Sequence, residues 1–199
     1  DAELAKKYAT QAVNHSIGVM TAKDDAAQMS QGVGMTFRNN IEWLAGNYNE
    51  ARMGSSIFSY LMGYEDPRLS VYFLPMDGNA SYGVEAFDGK TYQAVPAGHA
   101  NAQNDIYKSC SKPNIQSGTP TYWLRASEVY FLRAEAALVW EGFGSADSWY
   151  KQGIDMSFQE NGVTDPVDDY MNSNLSPRAY VLSHYQYGQT LSAPCETTV

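Results

Sequence analysis

Charge and cysteine are both scarce in this 199-residue chain. Only 18% of its residues are charged, against about 25% in an average soluble protein. The balance is acidic, with 22 Asp and Glu to 13 Lys and Arg and a net charge of −9. That balance disfavours nucleic acid as a partner, because phosphate backbones are held by clustered cations and the 13 here are scattered. Two cysteines, Cys110 and Cys195, cannot form a disulfide framework. A single bridge between them stays open, but small buried apolar residues are the better reading. No apolar run approaches the ~20 residues needed to cross a bilayer, and no signal sequence precedes Asp1, so any export signal or lipid anchor is expected outside this chain.

Catalytic fingerprints are missing as well. The chain has no Gly-x-Ser-x-Gly elbow and no phosphate loop, and Gly32-Val33-Gly34 lacks the third glycine and the strand of a dinucleotide site. His15, His99 and His184 lie in different segments, none at a spacing that puts two imidazoles on one metal. Asp165, Asp168 and Asp169 lack the alternating oxygens and closing Glu of a calcium loop, and a helix start accounts for them. No cofactor or metal is expected. A glycoside hydrolase needs two carboxylates about 5 to 9 Å apart. Glu42, Glu50, Glu85 and Glu128 are the candidates, but Glu50 reads as a helix cap and Glu128 falls inside the most buried helix expected.

What fills the space is Asn, Gln, Ser, Gly and 15 tyrosines. Leu4, Ala5, Tyr8, Ala9, Ala12 and Val13 recur at helical spacing and predict a helix from Ala2 to Ser16. A loop follows from Ile17 to Asn40, with a short turn at Asp24 to Met29. Met53, Ile57, Tyr60, Leu61 and Tyr64 mark a second helix, for which Asn47 and Glu50 resemble a capping box and Gly63 the stop. From Leu69 to Pro120 the pattern is irregular, with extended pieces at Val71 to Leu74, Val84 to Phe87 and Thr91 to Val95 and turns at Asp77-Gly78 and Asp88-Gly89. Arg125 to Trp140 is apolar nearly all round, which predicts burial on most sides. Ser145 then caps a helix whose Ala146, Trp149, Tyr150, Gly153, Ile154 and Ser157 share one face. The pair forms a helical hairpin over 125–158, and Ala146, Tyr150 and Gly153 echo the small-aromatic-small pattern of a tetratricopeptide unit. A short helix opens at Asp165-Pro166, and Ser176-Pro177 is a candidate start for another.

Sugars present apolar C–H faces rimmed by hydroxyls, so aromatic rings beside carboxamides form the matching surface. Trp43 and Tyr48, flanked by Asn47, Asn49 and Arg52, are the first candidate site, and Tyr82 and Tyr92 the second. Against this, Trp43 can serve as a packing staple and Tyr92 can belong to a strand face.

The order of features is distinctive. It runs from the Trp43 to Arg52 approach through Ser59-Tyr60-Leu61, Tyr64-Glu65-Asp66-Pro67-Arg68-Leu69 and Tyr72-Phe73. It continues with Ser127-Glu128-Val129-Tyr130-Phe131-Leu132-Arg133-Ala134-Glu135-Ala136 and Trp149-Tyr150-Lys151-Gln152-Gly153-Ile154. This resembles the SusD/RagB family of outer-membrane lipoproteins from Leu4 to about Tyr170. The resemblance implies a mostly α fold, a fragment of a superhelix of tetratricopeptide-like helix pairs with long irregular loops and short β-hairpin pieces. Residues 1–199 would be part of one such domain, truncated at both ends, with 1–16 the end of a helix pair and 41–120 the ligand-facing loop region. It further implies non-catalytic capture of polysaccharide or oligosaccharide at the extracellular face of the outer membrane, a lipid anchor lying outside these residues, and delivery to a SusC-like TonB-dependent porin. Because the family's aromatic positions vary, no ligand residue carries over. The alternative is a helical-repeat scaffold for protein interaction, with a glycoside hydrolase less favoured.

Overall fold

The computed structural model describes residues 1–34, 36–77, 89–96, 110–181, 190–191, 193 and 195–199. Tyr82, Tyr107, Glu85, His99, His184, the extended piece at Val84 to Phe87 and the turns at Gly78 and Asp88 lie outside them. The chain is mostly helical, with two small antiparallel ribbons among the described residues, and forms two compact units. One comprises Asp1–Met29 and Pro120–Met171, the other Ser30–Thr119 and Asn172–Val199.

The first unit opens with α1 (Ala2–Val13), started by the Asp1 carboxylate, which accepts from the N–H groups of Glu3 and Leu4. β1 (Ala26–Met29) takes the place of the expected turn and pairs antiparallel with β2 (Thr121–Arg125). The register slips by one between Ala27 and Gln28, so Trp123 is the extra residue of a bulge. β2 runs straight into α5 (Ala126–Val139), where the Arg125 N–H donates to Glu128 Oε1 at 2.8 Å. Glu128 is thus an exposed cap rather than a group inside a buried helix.

α6 (Ala146–Glu160) completes the hairpin, capped by Ser145 as its sequence predicts. The tetratricopeptide-like pattern now has its cause. A Cβ on Gly153 would sit 2.7 Å from the Phe131 ring, so only glycine lets α5 and α6 close to this distance. Tyr150 supports the same ring at 5.8 Å between centroids. At the far end of α6, the Glu160 side chain, 1% exposed, accepts from Ser127 N–H at 2.9 Å and Ser127 Oγ at 2.6 Å and pairs with Arg125 Nε at 3.3 Å. The C-terminus of one helix therefore caps the N-terminus of the other. A short helix, α7 (Val167–Met171), follows, and Tyr170 packs edge-on against the buried Phe158.

The all-round apolar character of α5 does not translate into burial on most sides. Leu132, Leu138 and Val139 are exposed, Leu138 by 77%. α6 covers one face only, and on another a groove of about 770 Å³ opens between Ala5, Ala9 and Val13 of α1 and Val129, Leu132 and Ala136 of α5. α1 itself has no buried residue.

In the second unit, α2 (Asn40–Gly46) is a seven-residue helix that periodicity alone does not reveal. The buried Asn39 starts it: its Oδ1 accepts from Ile41 N–H and its Nδ2 donates to Thr119 O, each at 3.0 Å. α3 (Ser55–Gly63) begins after Gly54, so Asn47 and Glu50 do not form its capping box; Asn47 ends α2 instead. Met53, Phe58, Leu61 and Ala94 form a core, with Tyr72, Phe73 and Tyr92 packed against it. The extended segment around Val95 lies alongside, bonded to Met53 and Ser55.

Gly63 is the last residue of α3 because the backbone of 176–178 crosses there; a Cβ would meet Ser176 O at 2.4 Å. Where extended chain is expected at Val71, a helical turn forms instead, α4 (Leu69–Tyr72). Asp66 causes it: buried, it accepts from Arg68 N–H and Nε at 2.9 Å each and offers its carbonyl to Leu69 N–H. β3 (Tyr180–Val181) and β4 (Thr190–Leu191) make the second ribbon. Both cysteines are free; Cys110 is buried, as an apolar packing residue should be, and burial pushes its thiol up to about 12. Cys195 is half-exposed beside the Tyr60 hydroxyl.

Gly153→Ala is expected to lower stability by about 1–3 kcal/mol through overpacking against Phe131. Glu160→Ala is expected to cost about 3 kcal/mol, since Arg125 and Ser127 lose their shared acceptor. Urea unfolding followed by circular dichroism measures both. A change below about 0.5 kcal/mol in either variant would remove that contact from the account.

Candidate functional site

The candidate site is the loop that leaves α2. Gly46 ends the helix, and the Asn47 N–H caps it by donating to Trp43 O at 2.9 Å. Asn49 then takes a left-handed conformation, φ 57°, and the chain doubles back so that Glu50 N–H reaches Leu44 O at 3.0 Å. Asparagine tolerates that conformation better than most residues.

Arg52 braces the turn from within. Its Nη1 donates to Ala45 O at 3.3 Å and to Ala51 O at 2.7 Å, and its Nη2 to Asn49 Oδ1 at 2.9 Å. Burial lowers the guanidinium pKa from its ordinary value, while Cys110 and Asp77 act in the opposite direction. Arg52 and Asn49 therefore set the shape of the loop.

The rings lie on this brace. Tyr48 is 52% exposed, and Trp43, half-buried, meets it edge to face at 4.5 Å with an interplanar angle of 80°. The T-shaped contact fixes the tyrosine plane, since such pairs favour the edge of one ring against the face of the other. Arg38 extends the cluster: its guanidinium lies 5.8 Å from the Trp43 ring and pairs with Glu42, four residues on, at 2.9 Å. Asn47 is exposed beside Tyr48 in the chain.

The structure brings Trp43, on α2, together with Asn47, Tyr48 and Arg52 of the loop that follows it. Tyr92 does not share its character: it is half-buried against the Met53, Phe58, Leu61 and Ala94 core, and burial raises its phenol pKa. Tyr82 is among the residues not described. Of the carboxylates considered for hydrolysis, Glu42 is held by Arg38 and Glu128 by its helix start. Among the described residues no three His, Cys, Asp or Glu come together as a metal site.

Sequence reasoning missed a second aromatic surface, in the other unit. The bulged Trp123 is 68% exposed, and Tyr122 carries the Arg125 guanidinium 4.4 Å from its ring centre. The signal was present as the β-prone run Thr121-Tyr122-Trp123-Leu124 set directly before a helix.

The loop can offer an aromatic face and a carboxamide to a ligand with apolar C–H patches and hydroxyls. Comparison with known proteins adds to this geometry. No protein of curated function matches the sequence. Among solved structures, a SusD-like protein from Bacteroides thetaiotaomicron VPI-5482 is similar at 30% identity with a TM-score of 0.85, covering 100% of this chain and 40% of that one. A SusD homologue from Bacteroides vulgatus ATCC 8482 gives 34% identity and 0.82, covering 100% and 39%. A chitin-binding SusD homologue from Flavobacterium johnsoniae gives 29% and 0.83, again covering 100% and 39%. The chain thus spans 39 to 40% of the length of these relatives. No helix among the described residues is long and apolar enough to cross a membrane. The model of the SusD and RagB outer-membrane lipoproteins matches residues 1–199, and the chain belongs to that family.

Proposed function

We propose that this chain is part of a non-catalytic glycan-binding lipoprotein that works at the extracellular face of the outer membrane and passes polysaccharide or oligosaccharide to a SusC-like TonB-dependent porin. The observation that carries the glycan part is the open Tyr48 ring, held edge-on by Trp43 in a loop that Arg52 pins to its own backbone. A ring whose plane is already set loses little freedom when a pyranose stacks on it. The chitin-binding relative supports the ligand class. Lipid anchor and porin enter the reading through the family alone.

In this reading Trp43, Tyr48 and Asn47 meet the sugar, and Arg52 positions them. Tyr82 stays a candidate contact from the sequence. Of the carboxylates weighed for hydrolysis, Glu42 is paired with Arg38 and Glu128 caps a helix start, while Glu50 is exposed. A second reading, a helical scaffold for protein partners, is favoured by one observation, the apolar groove between α1 and α5. Such grooves suit the apolar face of an amphipathic helix.

Isothermal titration of the folded chain with soluble glycans, chitin oligosaccharides first, is expected to detect binding. Tyr48→Ala and Trp43→Ala should each weaken it by about 2 kcal/mol, roughly 30-fold. Trp123→Ala should leave it within about twofold of the starting value. Silence toward every glycan from a chain with a native circular-dichroism spectrum would reject the glycan reading and leave the scaffold reading standing.

A further inference from the structure

We infer that the Trp43–Tyr48 loop selects uncharged glycans and rejects those carrying carboxylate or sulfate. The inference rests on the glycan reading above and adds the charge class of the ligand. An acidic sugar is held most strongly by a cation with hydrogen bonds to give, because charge-assisted bonds to an anion are about twice as strong as neutral ones. The two cations of the loop are both engaged: Arg38 lies on Glu42 through Nε at 3.1 Å and Nη2 at 2.9 Å, and Arg52 gives three hydrogen bonds to Ala45, Ala51 and Asn49.

The two differ in how firmly they are held. Arg52 is partly buried, and drawing it toward a ligand would strip the acceptors that shape the loop. Arg38 is more exposed, and an exposed ion pair by itself holds little energy. Charge balance decides that case. From Arg38 to Arg52 the cations Arg38 and Arg52 face the anions Glu42 and Glu50, so the segment offers no excess positive charge. Wherever Arg38 swings, Glu42 stays on the adjacent helical turn.

The unit that carries the loop, Ser30–Thr119 and Asn172–Val199, holds 7 Lys and Arg to 9 Asp and Glu, so it too offers a polyanion no cationic excess. What the loop leaves open is neutral: the Tyr48 face, the Tyr48 hydroxyl and the Asn47 carboxamide. These match hydroxyl and acetamido groups on an uncharged pyranose.

The test titrates the chain with chitohexaose and a neutral β-glucan, and in parallel with hyaluronan and polygalacturonate. Neutral glycans are expected to bind with an affinity that changes less than about twofold between about 50 and 500 mM salt. Tyr48→Ala should weaken that binding by about tenfold or more. Glu42→Gln, which frees Arg38 and removes one negative charge, should raise affinity for polygalacturonate at low salt. Tighter, salt-sensitive binding of the polyanions by the unaltered chain would overturn the inference while leaving the glycan reading intact. Unchanged neutral binding in Tyr48→Ala would overturn it by removing the loop from the site. Binding of neither class would sink the glycan reading itself.

Discussion

Backbone N–H and C=O groups left over where helices end must find partners, and the irregular joints of this chain are built around that requirement. Glu160 answers it in one unit: a carboxylate almost without solvent takes the Ser127 N–H and hydroxyl at the start of the neighbouring helix together with the Arg125 guanidinium. Asn39, Asp66 and Arg52 answer it in the other. Asn39 starts α2 and ties it to Thr119, Asp66 folds the chain into α4, and Arg52 holds the carbonyls at the exit of α2. Each is a polar side chain taken partly or wholly out of water, stable there because its bonds are met. Helix pairs and loops are thereby locked at defined angles without a disulfide.

The same economy of charge governs the candidate site. In the glycan reading, a loop whose two arginines are engaged within the protein holds a neutral ligand by shape. Tyr48 and Trp43 supply a surface whose geometry is set before any ligand arrives. Rigid rings with few rotatable bonds give contact area at small entropic cost.

Much of the fold was legible in the sequence. The helical periods at Leu4, Met53, Arg125 and Ala146 each correspond to a helix, because an amphipathic stripe long enough to be counted leaves few other conformations for the chain. The Ala146, Tyr150, Gly153 pattern marked the hairpin, and the close approach of Phe131 gives the reason. α2 escaped because seven residues hold fewer than two full turns of period, and its start depends on Thr119, eighty residues away. α4 escaped because Val71-Tyr72-Phe73 has the composition of a strand, and the Asp66 turn overrides it. The capping role assigned to Asn47 was one helix out of place: the same residue closes α2 and does not open α3. At the site, Trp43 and Tyr48 could be named from composition and neighbours. Their edge-to-face contact and the bracing role of Arg52 could not.

Residue order alone determined the helical class, the family resemblance and the scarcity of charge, because these depend on periodicity and composition summed over many residues. Exposure belonged to the tertiary structure: Tyr48 open, Tyr92 against the core, Trp123 turned out at a bulge, and α5 left with an uncovered apolar face. Burial is a property of what distant segments cover. An aromatic residue carries the same side chain on a platform or in a core, and only packing distinguishes the two.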